Sequence, residues 1–303
     1  MLYINFVFPP YENLPEIEQY LSYFNKLGVV CCKNKGEING SSVSDVYFEW
    51  HVMGTHFFYE PRFKCKTNIF QKILIHEFAS LSTGRSLFEK KVKNFIKKFF
   101  SRRADHYIFL NENIRNYFKL KNNASDLRDM GVADYFLDIP ESITEHFEYE
   151  YVYVGSMAKE RKLEIFLDIY LEKKQKILLV GQASTYLLKK YGNHKCITFT
   201  GKVPQEKIPE YISISKYCVN YVPNEFPYNI QTSTKLIEYL SMGKDVISNR
   251  YDWVESFLAS KGFDYSLIKD EFILIKANDS FKANSWEEII SSLSITKLIK
   301  SKL

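Results

Sequence analysis

From Glu150 to Asn249 the chain alternates without interruption between short apolar runs and longer amphipathic ones: EYVYVGS, KLEIFLDIYLEKK, KILLVG, STYLLKKYG, CITFTG, QEKIPEYISISK, YCVNYVP, TSTKLIEYLSMG and DVISN. The short runs lack the apolar-polar alternation of a strand wetted on one face, so each predicts a strand buried on both faces. Strands of that kind, separated by helices, form a parallel sheet covered on its two sides. The carboxyl half is therefore expected to be Rossmann-like.

The amino half repeats the theme less regularly. LYINFVF, VSDVYFEWHV, IFQKILIHEF and ADHYIFLN predict strands, PEIEQYLSYFNKLG and NENIRNYFKLKN predict helices, and Gly28 stands where a helix C-cap belongs. At 303 residues the chain suits two domains. The acidic, aperiodic stretch between Asp138 and Glu150 marks the boundary, which gives an amino-terminal domain over 1–140 and a second over 146–284. SWEEIISSLSITKLIKSKL opens with Ser285 and Glu288 in capping-box register and predicts a terminal helix over 285–303, packing back towards the first domain.

Several function classes lose support. The five cysteines include an adjacent pair, Cys31 and Cys32, but no Cys-x-x-Cys, so neither a disulfide framework nor a zinc spacing is present. His51, His56, His106, His146 and His194 show no metal-ligand spacing, and Asp-x-Asp is absent. No metal or other cofactor is expected. MLYINFVF lacks a basic leader, and no apolar run reaches the roughly 18–20 residues that span a bilayer, so a cytoplasmic protein is expected. G-x-G-x-x-G and the Walker lysine loop are both missing, which weakens dinucleotide and P-loop readings. Even so, Gly155–Lys162, Gly181–Thr185, Gly201–Gln205 and Asn229–Lys235 fall beyond strand ends, where helix amino termini present N–H groups to anions. A phosphate-bearing ligand suits them.

The ordered series YVYVGSMAKERKLEIFLDI, ILLVGQ, ITFTGKVPQEKIPEYISISKYCVNYVP and PYNIQTSTKLIEYLSMGKDVISN, over roughly 150–260, resembles the donor-binding domain of retaining GT-B glycosyltransferases, family-4-like and of the bacterial surface polysaccharide type. IHEF and SRRADHYIFLNENI resemble the acceptor domain more weakly. The resemblance implies an α/β fold of GT-B type, two Rossmann-like domains with parallel sheets facing across a cleft. It implies a nucleotide diphosphate sugar as donor, a glycan or lipid-linked acceptor, and metal-independent transfer in lipopolysaccharide or capsule synthesis.

Carried over by position, Glu238 takes the donor ribose hydroxyls, and Lys235, one turn earlier, neutralises the diphosphate with N–H groups near Ser233 and Thr234. Arg161 stands at a phosphate-binding position; the partner position, commonly arginine, is Ser156, with Lys159 or Lys162 able to supply the charge. Gly201 to Pro204, including Val203, matches the nucleobase loop. The sugar-facing carboxylate of many relatives falls on Ile230, leaving Asn229, Gln231 or Thr232 to bond the sugar. His76 matches a histidine aimed at the reacting sugar. His76, Arg161 and Lys235 are the implied catalytic groups. The Lys235–Glu238 spacing suits an ordinary helix-surface ion pair equally well, worth about 0.2–0.5 kcal/mol. An epimerase or phosphorylase of similar architecture, or a non-catalytic nucleotide-sugar or nucleic-acid binding module, stays open as an alternative.

Charge adds one more expectation. Between Arg85 and Arg103 eight basic residues face one acidic residue, Glu89, while Phe88, Val92, Phe95, Ile96, Phe99 and Phe100 recur at helical spacing. Packing of the aromatic side into the core leaves Lys90, Lys91, Lys97 and Lys98 free to meet an anionic inner-membrane surface. No nucleic-acid reading motif accompanies the charge, so nucleic acid is not an expected partner.

Overall fold

The computed structural model describes residues 1–9, 14–34, 46–52, 71–84, 86–101, 103–120, 124–137, 147–172, 174–269 and 271–303. Arg85, Arg102, His56, His146 and most of the expected boundary stretch lie outside the described residues. The chain forms two compact units, one made of 1–131 with 284–303 and one of 132–283.

In the first unit β1 (Leu2–Val7), α1 (Pro15–Lys26), β2 (Val30–Lys33), β3 (Val46–Val52), β4 (Gln71–Phe78), α2 (Leu87–Phe99), β5 (His106–Phe109), α3 (Glu112–Phe118) and β6 (Ala124–Leu127) follow one another. The six strands form a wholly parallel sheet in the order β2-β1-β3-β4-β5-β6. Gly28 adopts φ +79° and closes α1, its N–H donating to the Asn25 carbonyl at 3.0 Å. Phe6, Tyr20 and Trp50 stack in the core, with Tyr20 and Trp50 ring centroids 4.6 Å apart. Beside them the buried Arg128 guanidinium lies 3.0 Å from a Glu77 carboxylate oxygen, and Trp50 and Tyr20 donate to the other oxygen at 2.8 and 3.1 Å. The pairing and hydrogen bonding offset only part of the cost of holding both charges away from water, since burial still pushes the Glu77 carboxyl up.

Helix α2 corrects the sequence reading. Its aromatic side does not enter the core: Phe88 is 77% exposed, Phe95 54% and Phe99 61%. Lys90 and Asn94 are the buried positions, and the Asn94 side-chain oxygen accepts the Ser82 N–H at 2.8 Å. Lys90 is therefore not a displayed cation. Lys91 is exposed, whereas Lys97 and Lys98 are half-buried. Because Asn94 caps the backbone at Ser82, the helix turns its polar edge inward, and the aromatic stripe one half-turn away is left outside.

The second unit contains β7 (Tyr149–Val154), α4 (Glu164–Leu171), β8 (Ile177–Val180), α5 (Thr185–Tyr191), β9 (Ile197–Gly201), α6 (Ile208–Ser213), β10 (Ser215–Asn220), α7 (Thr234–Ser241), β11 (Val246–Asn249), α8 (Asp252–Lys261), β12 (Tyr265–Lys269) and β13 (Phe272–Ile275). The sheet order is β12-β13-β11-β10-β7-β8-β9. Strands β7 to β11 run parallel as expected; β12 and β13 add an antiparallel edge. Winding outward from β7 in both directions puts the topological switch point between β7 and β10, where open sheets of this kind bind ligands.

Two helices, α9 (Trp286–Ser292) and α10 (Ser294–Lys300), replace the single terminal helix expected. Ser285 and Glu288 form the capping box of α9. Leu293 is extended, and the Asp126 carboxylate of β6 accepts the N–H groups of Ser294 and Ile295, both at 3.0 Å, restarting the helix. Among the described residues no helix is long and apolar enough to cross a membrane.

Candidate donor site in the second unit

A cavity of about 230 Å³ opens at the switch point. Three segments wall it. The end of β7 and its loop supply Gly155, Ser156 and Arg161; the end of β10 supplies Asn220 to Val222; and Gln231 to Lys235 lead into α7. Among the described residues the lining includes the cations Arg161 and Lys235 and no carboxylate, so its field favours an anion.

Each wall has a local cause. Gly181 takes φ +133°, and a Cβ there would stand 2.3 Å from the Gly155 carbonyl oxygen, so only glycine lets the β7 and β8 loops approach this closely. Arg161 ends a 3-10 turn, and its guanidinium stacks 4.9 Å from the Tyr228 ring centroid. Ser233 caps α7, its hydroxyl accepting the Leu236 N–H at 3.3 Å while donating to the Asn220 side chain at 2.6 Å. Asn220 in turn donates to Ser248 and Tyr251, at 2.9 and 3.2 Å, and the Val154 N–H donates to the Tyr239 hydroxyl at 3.0 Å. The first turn of α7 is thus fixed on a buried polar network, with Ser233, Thr234 and Lys235 on the cavity wall.

Seven of the sequence-derived residues meet here: Ser156, Arg161, Gln231, Thr232, Ser233, Thr234 and Lys235. Glu238 does not line the cavity. It is 8% exposed on α7 and pairs at 2.6 Å with the half-buried Lys235, so the carboxylate is buried while its partner stays within reach of solvent. Burial pushes the Glu238 carboxyl up, and the Lys235 charge and hydrogen bond hold it back only in part. Lys162, with φ +51°, is engaged by Glu225 at 2.9 Å. The Asn229 side chain donates to Asp252 at 2.8 Å. Gly201, at φ +72°, accepts the Gly181 N–H through its carbonyl at 3.0 Å, and Val203 is half-buried in the loop that follows. His76 lies within β4 of the first unit, wholly buried, its ring 5.6 Å from that of His51 and 5.9 Å from that of Tyr107.

Two aromatic residues escaped the sequence reading. Tyr135 donates to Gln205 at 3.2 Å, and burial, with the charges of Glu238 and Glu206, raises its phenol to about 12. Phe136 presents its ring 5.8 Å from the Lys235 ammonium. Both sit on one 3-10 turn, Asp134–Phe136, about a hundred residues before the helix they attend. Nothing in their local pattern signals that partner.

Comparisons with known proteins bear on the fold and on the second unit. Residues 148–280 match the family model described as Glycosyl transferases group 1. Sucrose-phosphate synthase from Thermosynechococcus elongatus superposes with a TM-score of 0.62 at 13% identity, over 85% of this chain and 84% of that one. The fold is GT-B. HepE of Anabaena, solved in complex with UDP and glucose, gives a TM-score of 0.53 at 11% identity over 98% of this chain and 89% of its own. AviGT4, a glycosyltransferase involved in avilamycin A biosynthesis, gives 0.50 at 9% identity over 100% and 92%. No curated protein sequence matches the chain. The family match lies wholly within the second unit, and the likeness to solved structures shows the fold of the chain.

Proposed function

We propose that the protein is a retaining glycosyltransferase that moves a sugar from a nucleotide diphosphate donor to a glycan or lipid-linked acceptor in cell-surface polysaccharide synthesis, without a metal. The observation that carries this reading is the cavity at the β7/β10 switch point, where Arg161, Lys235 and the start of α7 converge with no carboxylate among the described residues of the wall. A diphosphate is the group such a lining neutralises best.

In this reading the incoming diphosphate draws Lys235 away from Glu238, and the released carboxylate accepts the ribose hydroxyls. Arg161, Lys235 and the N–H groups beyond Ser233 then stabilise the charge that grows on the departing diphosphate. Gln231 and Thr232, which line the cavity, bond the donor sugar. Asn229 joins them only by giving up Asp252, and Lys162 reaches phosphate only by giving up Glu225. The backbone at Gly201 and Val203 meets the base, beside Tyr135. Cations supply what a metal supplies elsewhere, so transfer is expected to survive chelation.

Calorimetric titration with UDP, GDP, dTDP and CDP tests the site. One of them is expected to bind wild type, and Glu238→Ala is expected to weaken that binding at least tenfold. Equal affinity in the two proteins removes the assignment of Glu238. Incubation with donor sugars and an acceptor panel, read by NMR for the anomeric configuration and repeated with EDTA, tests the chemistry. An inverted product, or loss of turnover on chelation, overturns the corresponding part of the reading.

A further inference from the structure

Helix α2 is oriented the wrong way for an ordinary surface helix. A helix packed on a soluble domain buries its apolar stripe and wets its polar one. Here Lys90 and Asn94 are buried, while Phe88, Val92, Phe95 and Phe99 are exposed. At about 100° per residue these four fall within an arc of about 60°. The exposed rings are organised, with the Phe95 and Phe99 centroids 4.6 Å apart. They share with Lys91, Lys98 and Tyr117 a shallow, mainly apolar groove of about 510 Å³.

The charges around the stripe say what covers it. Lys91 and Lys98 flank it on one side and line the groove with the rings; the Lys98 ammonium lies 5.4 Å from the Phe99 ring centroid, at the edge of the aromatic patch. Glu89, the acidic residue of the helix, is matched to Lys93 at 2.5 Å. An apolar stripe bordered by cations complements a layer whose interior is apolar and whose rim is anionic.

We infer that α2 lies flat on an anionic lipid bilayer, with Phe88, Phe95 and Phe99 inserted at the level of the acyl boundary and Lys91 and Lys98 among the headgroup phosphates. This surface belongs to the first unit and is independent of the donor site. Lys90, whose position beside Asn94 is internal, takes no part.

Sedimentation of the full chain with vesicles of phosphatidylcholine alone, and of phosphatidylcholine with an equal part of phosphatidylglycerol, tests the inference. Wild type is expected to partition onto the anionic vesicles, less so as salt is raised, and far more weakly onto the neutral ones. The triple substitution Phe88→Ser, Phe95→Ser, Phe99→Ser is expected to lower partition at least tenfold. Lys91→Gln with Lys98→Gln is expected to lower it about thirtyfold while keeping the rings. Circular dichroism melts of each variant report on folding; if the triple variant is unfolded, the lysine pair decides. Absence of wild-type partition at low salt, undiminished partition of the folded variants, or a wild-type dimer that the triple variant renders monomeric overturns the inference, the last by assigning the stripe to a second copy. Loss of nucleotide binding in the wild type would strike at the donor site alone and leave the vesicle result unaffected.

Discussion

Glu238 is held where a carboxylate is uncomfortable. It is 8% exposed, and burial raises its carboxyl against the pull of Lys235 at 2.6 Å. A group whose pKa is higher folded than unfolded contributes stability below the unfolded value and loses it as pH rises. Glu238→Gln is therefore expected to melt higher than wild type at pH 7, by an amount on the order of 1 kcal/mol, with the gap closing near pH 4, and to bind nucleotide less tightly. A variant less stable at pH 7 would mean that Lys235 outweighs the burial. Gly181→Ala carries the opposite expectation. Its Cβ would meet the Gly155 carbonyl oxygen at 2.3 Å in a left-handed conformation, so a loss of about 2 kcal/mol or more is expected in denaturant titration. The Lys235–Glu238 spacing was legible because one helical turn is a local relation. Tyr135 and Phe136 were not, because the chain returns to α7 only after four strands.

At the scale of elements, legibility followed burial. Strands β7, β8, β10 and β11 are central, and their uniform apolar runs state as much. Strand β2 reads VCCK and β6 reads ASDL, exposed or half-buried throughout, and neither was recognised. An edge strand is specified by its one neighbour rather than by its own side chains. Helix α2 shows a second limit: periodicity tells which residues share a face, not which way the face turns.

The break between α9 and α10 has the same character, because its cause is Asp126 on a distant strand. Burial raises the Asp126 carboxyl, but His106 and the N–H groups of Ile295 and Ser294 outweigh it and hold the group at about 2. Its folded value lies below the unfolded one, so the stabilisation is complete above about pH 5 and disappears as pH falls from about 4 towards 2. From the linkage it amounts to about 2 kcal/mol. Acid titrations of wild type and Asp126→Asn, followed by circular dichroism, are expected to converge at the acid end and separate above it. Parallel curves at every pH would deny Asp126 this role.

At the scale of the whole molecule, the second unit is an insertion within the first, since residues 284–303 return to the unit formed by 1–131. The return is heavily buried: Trp286, Ile289, Ile290, Leu293, Ile295 and Ile299 are each at most 5% exposed. Trp286 also receives the Arg128 guanidinium 5.1 Å from its ring centroid. At about 1.5–3 kcal/mol per buried side chain, removing six sacrifices on the order of 10 kcal/mol, comparable to the net stability of a domain. A chain ending at Ala283 is therefore expected to lose the cooperative fold of its first unit. The second unit keeps every residue of the switch-point cavity, and its mixed sheet contains no strand from 284–303. Hydrogen exchange on the shortened protein is expected to show residues 1–131 unprotected while peptides spanning 149–156 and 215–241 remain slow and slow further with the bound nucleotide. Retained protection over 1–131 would show that the first unit stands without its last two helices, and loss of protection in both segments would show that the units fold as one.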